Sequence, residues 1–192
     1  MQTIIWILVQ TLASLVASVC LLRAYAWYHG LRAHGNPLVG FAHALTQWLV
    51  GPLGRIIRPS ARIDWPSIVG ALLLGLFTAL VFSALGGFML NPLLVLLLGV
   101  LWVVRWGLYL AMMLIIAMAV LSLVNPHAPL AWPLSALTTP MLRPFRRVVP
   151  LVGQFDLSPL VALLVIQIAL VLLDPTVALG MLSGMAYHYQ GN

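Results

Sequence analysis

Polar positions are so sparse along this chain that the apolar runs between them mark its elements. Four such runs stand out, at about Ile4–Ala26, Ile68–Leu90, Leu93–Val124 and Leu160–Leu173. A membrane-crossing helix needs about 20 residues, and the first three runs reach that length. The fourth is short, and is expected to begin near Asp156 or to continue past the Asp174-Pro175 break. The uncharged stretch from Gly86 to Pro92 is a turn signal that predicts a tight helical hairpin. The other two connections carry helical periodicity of their own. Leu130, Leu134, Leu137 and Met141 recur on one face, with Ser135, Thr138 and Thr139 on others; Leu38, Phe41, Leu45 and Trp48 form a similar stripe opposite His43 and Gln47. These amphipathic segments, 37–52 and 130–144, are expected to lie in the interface, re-enter the bilayer or pack on the bundle. Pro52 and Pro144 are expected to end them.

Composition turns these runs into membrane spans. The 192 residues are 63% hydrophobic and only 6% charged, where a soluble domain carries roughly 25% charged residues. The fold class expected is an all-α membrane protein with four transmembrane helices. The net charge of +6 comes from arginines set against Asp64, Asp156 and Asp174, with no lysine or glutamate. Most of them fall in the two long connections: Arg32, Arg55, Arg58 and Arg62 in one, Arg143, Arg146 and Arg147 in the other. Four spans put both connections on one side, which the positive-inside rule makes cytoplasmic, with both termini outside. The same charge predicts contact with anionic lipid headgroups rather than nucleic acid. Ala24-Tyr25-Ala26 resembles a signal-peptide cleavage site, but Arg23 and Arg32 follow the apolar run instead of preceding it, so a retained helix is expected. Cys20, alone, can form no internal disulfide.

Shifting the sequence by about 92 positions superposes Pro37-Leu38 on Pro129-Leu130, Ala44-Leu45-Thr46 on Ala136-Leu137-Thr138, Pro52 on Pro144, Arg55 on Arg147 and Asp64 on Asp156. The chain therefore reads as two repeats, 1–90 and 91–192, each a span, a proline-punctuated segment and a second span. Because two spans separate equivalent points, the repeats are parallel.

Ala136-Leu137-Thr138, Pro140, Leu142, Pro144, Arg146-Arg147, Pro150, Gly153 and Asp156-Leu157-Ser158-Pro159, preceded by Asn125-Pro126, resemble the signature of the YggT (YlmG-like) family, roughly LTxPxLxPxRRxxPxxGxxDxSP. The first copy departs from it. Trp48 replaces a proline, Pro59 is shifted, and Asp64-Trp65-Pro66-Ser67 swaps the Ser-Pro order. The resemblance implies a bacterial inner-membrane protein with no established enzymatic reaction. It also implies links to envelope or osmotic stress, to cell division and nucleoid distribution, or to haem attachment on a b-type cytochrome in plastids. On this resemblance the motif residues Thr46, Pro52, Arg55, Asp64, Thr138, Pro144, Arg146, Arg147, Pro150, Asp156, Ser158 and Pro159 are the interaction candidates, mainly those of the second copy.

Several residues admit two readings. Asp64 and Asp156 either cap the helices they precede or also clamp the amphipathic helix by ion pairs to Arg55 and Arg147. Arg105 lies well inside a span, where an arginine must face the bundle or a watery cavity. It is either a structural anchor or an ion site, with Trp102, Trp106 and Tyr109 near it in sequence and Asp174 as a candidate carboxylate. His29, His34 and His43 lack ligand spacing, so no metal or cofactor is expected. Gly180 and Gly184 match GxxxG, while Ala13, Ser14, Ala17 and Ser18 form a better small face for helix packing. No catalytic constellation is present. The leading expectation is a non-enzymatic scaffold or assembly factor, with a membrane-protein partner or a second copy of itself. The alternative is a small ion or osmolyte transporter or channel component with Arg105 in its path.

Overall fold

The computed structural model describes residues 2–31, 36–86, 91–125, 128–148 and 156–175. Among them are six helices and no strands: α1 (Gln2–Tyr28), α2 (Pro37–Ile56), α3 (Trp65–Gly86), α4 (Pro92–Val124), α5 (Ala131–Val148) and α6 (Ser158–Leu172). Helices α1, α3 and α4 are long and apolar enough to cross a membrane. The 15 residues of α6 give only about 22 Å of helix, short of a hydrocarbon core about 30 Å thick. Three of the four expected spans thus have the required length; α6 ends at Leu172, and the expected continuation past Pro175 lies outside the described residues.

Local chemistry explains the starts. Asn36 Oδ1 accepts from the amides of Leu38 and Val39 at 3.1 and 3.5 Å, ahead of Pro37. Asn91 Oδ1 accepts from Leu93 at 2.9 Å, ahead of Pro92. Asparagine satisfies a first-turn donor, and proline follows without loss because its missing N–H would have no acceptor there. The expectation that Pro52 and Pro144 terminate their helices is corrected. Both lie inside, as does Pro140, and α2 and α5 run on to Ile56 and Val148. Pro52 and Pro144 each sit about one turn from the C-terminal end of their helix, where a single missing bond is tolerated because little helix remains to be bent, whereas Pro140 lies mid-helix.

The packing is inverted relative to a soluble protein. Buried positions on α3 are small, including Gly70, Ala71, Gly75 and Ala79, whereas Leu73, Phe77 and Leu80 face outward. Ala13 and Ala17 are buried on α1, as the small-residue face predicts. The closest approach joins α3 and α4. A Cβ on Gly75 would lie 2.5 Å from the Gly99 carbonyl oxygen, and one on Gly99 would lie 3.1 Å from the Leu76 backbone. Between helices that cross a membrane, close backbone contact replaces the hydrophobic effect as the source of attraction, and α3 and α4 are long and apolar enough to be such helices.

Helix α2 packs against α1 and α3, and α5 against α4 and α6. Their exposed faces differ. On α5 the apolar stripe turns inward, with Leu134, Leu137 and Leu142 buried. On α2 the inward face is Val39, Ala42, Thr46 and Val50, and the expected stripe of Phe41, Leu45 and Trp48 is exposed. Helix α2 is therefore apolar on both sides, which suits lipid contact, while α5 has a polar outer side.

Candidate functional site

Each of the chain's three carboxylates meets an arginine. Asp64, at the start of α3, is buried, and its Oδ2 accepts from Arg23 Nε at 3.0 Å and from the Ser67 hydroxyl at 2.7 Å. Arg23 reaches it from α1. Its Nη1 also donates, at a longer 3.4–3.5 Å, to Gln47 Oε1 and Thr46 Oγ1 on α2. Three helices thus converge on one ion pair whose side chains are 13% and 3% exposed. His43, on the same helix as Thr46, is held below its ordinary pKa by burial and by the Arg23 charge. Arg23 is the residue that sequence reasoning missed: the expected partner of Asp64 is Arg55, which is exposed, and the guanidinium that meets Asp64 is that of Arg23.

The second motif is built differently. Asp156 Oδ2 accepts from Arg146 Nε at 2.9 Å, and Oδ1 accepts from the Ser158 amide at 2.9 Å. The expected partner Arg147 is corrected to its neighbour Arg146. The N-cap residue of α6, Leu157, offers no side-chain cap, so Asp156 does that work from one residue earlier, as an Asx turn. Asp64 cannot copy this, because the residue two positions on is Pro66, which has no N–H. The swapped Ser-Pro order therefore decides which donor each aspartate finds. Burial alone would raise the Asp156 pKa, but the bonds from Ser158 and the Arg146 guanidinium outweigh it and hold the carboxyl below its ordinary value.

The remaining candidates separate into two groups. Thr46 and Thr138 are buried, and each donates its hydroxyl to the carbonyl four residues back, Ala42 and Leu134, at 2.7 and 2.8 Å. Ser158 is buried and Pro159 half-buried. Pro52, Arg55, Pro144, Arg146 and Arg147 are exposed, joined by Arg143. On α5 this makes an outward ridge of Thr139, Arg143 and Arg147 at four-residue spacing. Pro150, Arg32, His34 and the Gly180–Gly184 pair lie outside the described residues.

Arg105 does meet Asp174. Its Nη1 donates to Asp174 Oδ2 at 2.9 Å and to the carbonyls of Leu173 and Leu170 at 3.0 and 3.4 Å; Nη2 reaches the Tyr109 hydroxyl at 3.4 Å. The guanidinium carbon lies 5.5 Å from the Trp102 ring centre, within cation–π range. Arg105 Nε and Trp102 Nε1 are buried and have no partner among the described residues. Among the described residues no three His, Cys, Asp or Glu side chains converge as a metal site would require.

Comparison with known proteins agrees with the motif. The family model described as CCB3/YggT matches residues 1–85 and 89–177. "Uncharacterized protein YggT" of Escherichia coli strain K12 is 30% identical over 167 residues, which cover 84% of each chain. A Vibrio alginolyticus relative, "Uncharacterized protein in proC 3'region", is 33% identical over 166 residues, covering 84% of this chain and 89% of its own. A Haemophilus influenzae "Uncharacterized protein" is 30% identical over 158 residues, covering 81% and 83%. No solved structure matches. By the extent of the model match and the coverage of these relatives, the chain belongs to the CCB3/YggT family.

Proposed function

We propose that this protein is a non-enzymatic scaffold or assembly factor of the bacterial inner membrane, linked to envelope or osmotic stress, cell division or the assembly of a membrane protein such as a cytochrome. The observation that carries the reading is the outer face of α5. Arg143, Arg146 and Arg147 are exposed there, while Leu134, Leu137, Thr138 and Leu142 anchor the opposite face. Exposed guanidinium groups beside apolar helices belong at a membrane–water boundary, where they can meet an acidic partner or anionic headgroups. In this reading the chain is two parallel repeats with four membrane segments, basic connections in the cytoplasm and termini outside. The two stretches matched by the family model, 1–85 and 89–177, support the repeats, as does the shared threonine bond of α2 and α5. A photo-crosslinking amino acid at Thr139, exposed on the same ridge as Arg143 and Arg147 and introduced in living cells, tests the role. A discrete protein adduct that disappears with Arg143→Glu is expected. Lipid adducts alone would replace the scaffold with a lipid-binding role.

A second reading, a small ion or osmolyte transporter or channel component, is favoured by the burial of Arg105 within α4. Flux in liposomes that is lost in Arg105→Leu would establish it.

A further inference from the structure

Helix lengths set the depth of Arg105. Ile115 of α4 packs with Leu142 and Ala162, near the start of α6. From that level, α4 reaches Arg105 after about 15 Å and Pro92 after about 20 Å more, at 1.5 Å per residue. Helix α6 climbs about 22 Å from its start and ends where its Leu170 and Leu173 carbonyls accept from Arg105. The helix therefore stops roughly midway along the slab that α4 crosses. The last carbonyls of a helix have no intrahelical donor, and hydrocarbon offers none. Arg105 supplies it, as a cap for a helix end placed at mid-depth.

That cap leaves two donors over. Among the described residues Arg105 Nε–H and Trp102 Nε1–H are unpartnered, on residues only 7% and 4% exposed, with the guanidinium carbon 5.5 Å from the indole ring centre. An unmet buried donor costs about 1–3 kcal/mol, and native proteins fill such positions with water or a ligand. We infer that the end of α6 is a mid-membrane acceptor site, in which Arg105 Nε–H and Trp102 Nε1–H hold a small hydrogen-bond acceptor, water or chloride. Both free groups are donors and the guanidinium is cationic, which excludes a metal cation. This inference is independent of the scaffold reading, which concerns α5.

The test uses full-length protein carrying Cys20→Ser, spin-labelled at Leu173→Cys and reconstituted in phosphatidylcholine–phosphatidylglycerol vesicles. Electron spin-echo detection of deuterium in D2O reads local water. Modulation at least twofold above a label at Leu164→Cys, an outward position on the same helix, is expected. If Leu173→Cys does not fold, Leu172→Cys reports from the same level. Replacing chloride by gluconate separates the sources. A fall in thermal midpoint that Trp102→Phe abolishes identifies chloride, whereas a strong deuterium signal indifferent to chloride identifies water. A signal no greater than at Leu164→Cys, with no chloride effect, overturns the proposal.

Discussion

Arg23 on α1 donates through Nε to Asp64, 41 residues later at the start of α3, across 3.0 Å in a nearly water-free setting. The corresponding aspartate of the second motif, Asp156, takes its guanidinium from Arg146 on the neighbouring amphipathic helix. The exchange is written in the register of about 92 positions. Where the first half has Arg23 and Gly54, the second has Ile115 and Arg146. Ile115 instead makes an apolar contact with Leu142 and Ala162.

Because the first pair is buried, breaking it leaves an uncompensated charge, at a cost of about 3–5 kcal/mol. Asp64→Ala is expected to lose that much in detergent unfolding, and Arg23→Leu in the same chain to restore a large part. Asp156→Ala should cost about 1 kcal/mol or less, since Arg146 is half-exposed and solvent screens the pair. Equal losses at the two aspartates would contradict the assignment.

The depressed pKa of Asp156 has a defined sign. Its contribution is fully present above the ordinary carboxyl value of 3.8 and is lost as pH falls through the lower folded-state value. The stability difference between wild type and Asp156→Asn should stay constant from pH 7 to about pH 4 and shrink below it. A difference that grows on acidification would reverse the argument.

Gly75 tests the α3–α4 crossing. Gly75→Ala places a methyl group against the Gly99 carbonyl and should cost about 1–3 kcal/mol through overpacking. Gly107→Ala is the control, because its nearest neighbour is a flexible leucine terminus at 3.8 Å. It should be neutral or slightly stabilising, since alanine is the better helix former. Unfolding curves of the two variants separate the effects.

Tyr25→Phe removes the hydroxyl that donates to the Leu137 carbonyl at 3.0 Å, a bond linking α1 to α5. The loss should be about 0.5–1.5 kcal/mol, read as faster amide exchange along α5 with α3 unchanged. Uniformly faster exchange would mean that the bond serves the whole bundle rather than this junction.

The sequence by itself determined the helical class, the three long apolar helices, the amphipathic segments between them and the motif that marks the family. Those properties are local or compositional: run length, periodicity, proline and asparagine at starts, and charge placed at helix ends. It also pointed to Arg105 and Asp174, because a lone cation in an apolar run must find an acceptor. Only the tertiary structure decided the other pairings. Asp64 has several arginines within reach along the chain, and Pro66 denies it the backbone donor that Ser158 gives Asp156, so the burial of Arg23 beside it settles the choice. The inward turn of the α5 stripe, the exposure of the α2 stripe and the Gly75–Gly99 contact likewise depend on which helices lie side by side. Periodicity defines a face but not its neighbour. The early end of α6 belongs to both levels: Pro175 announces a break, and the carbonyls bound to Arg105 give it a depth.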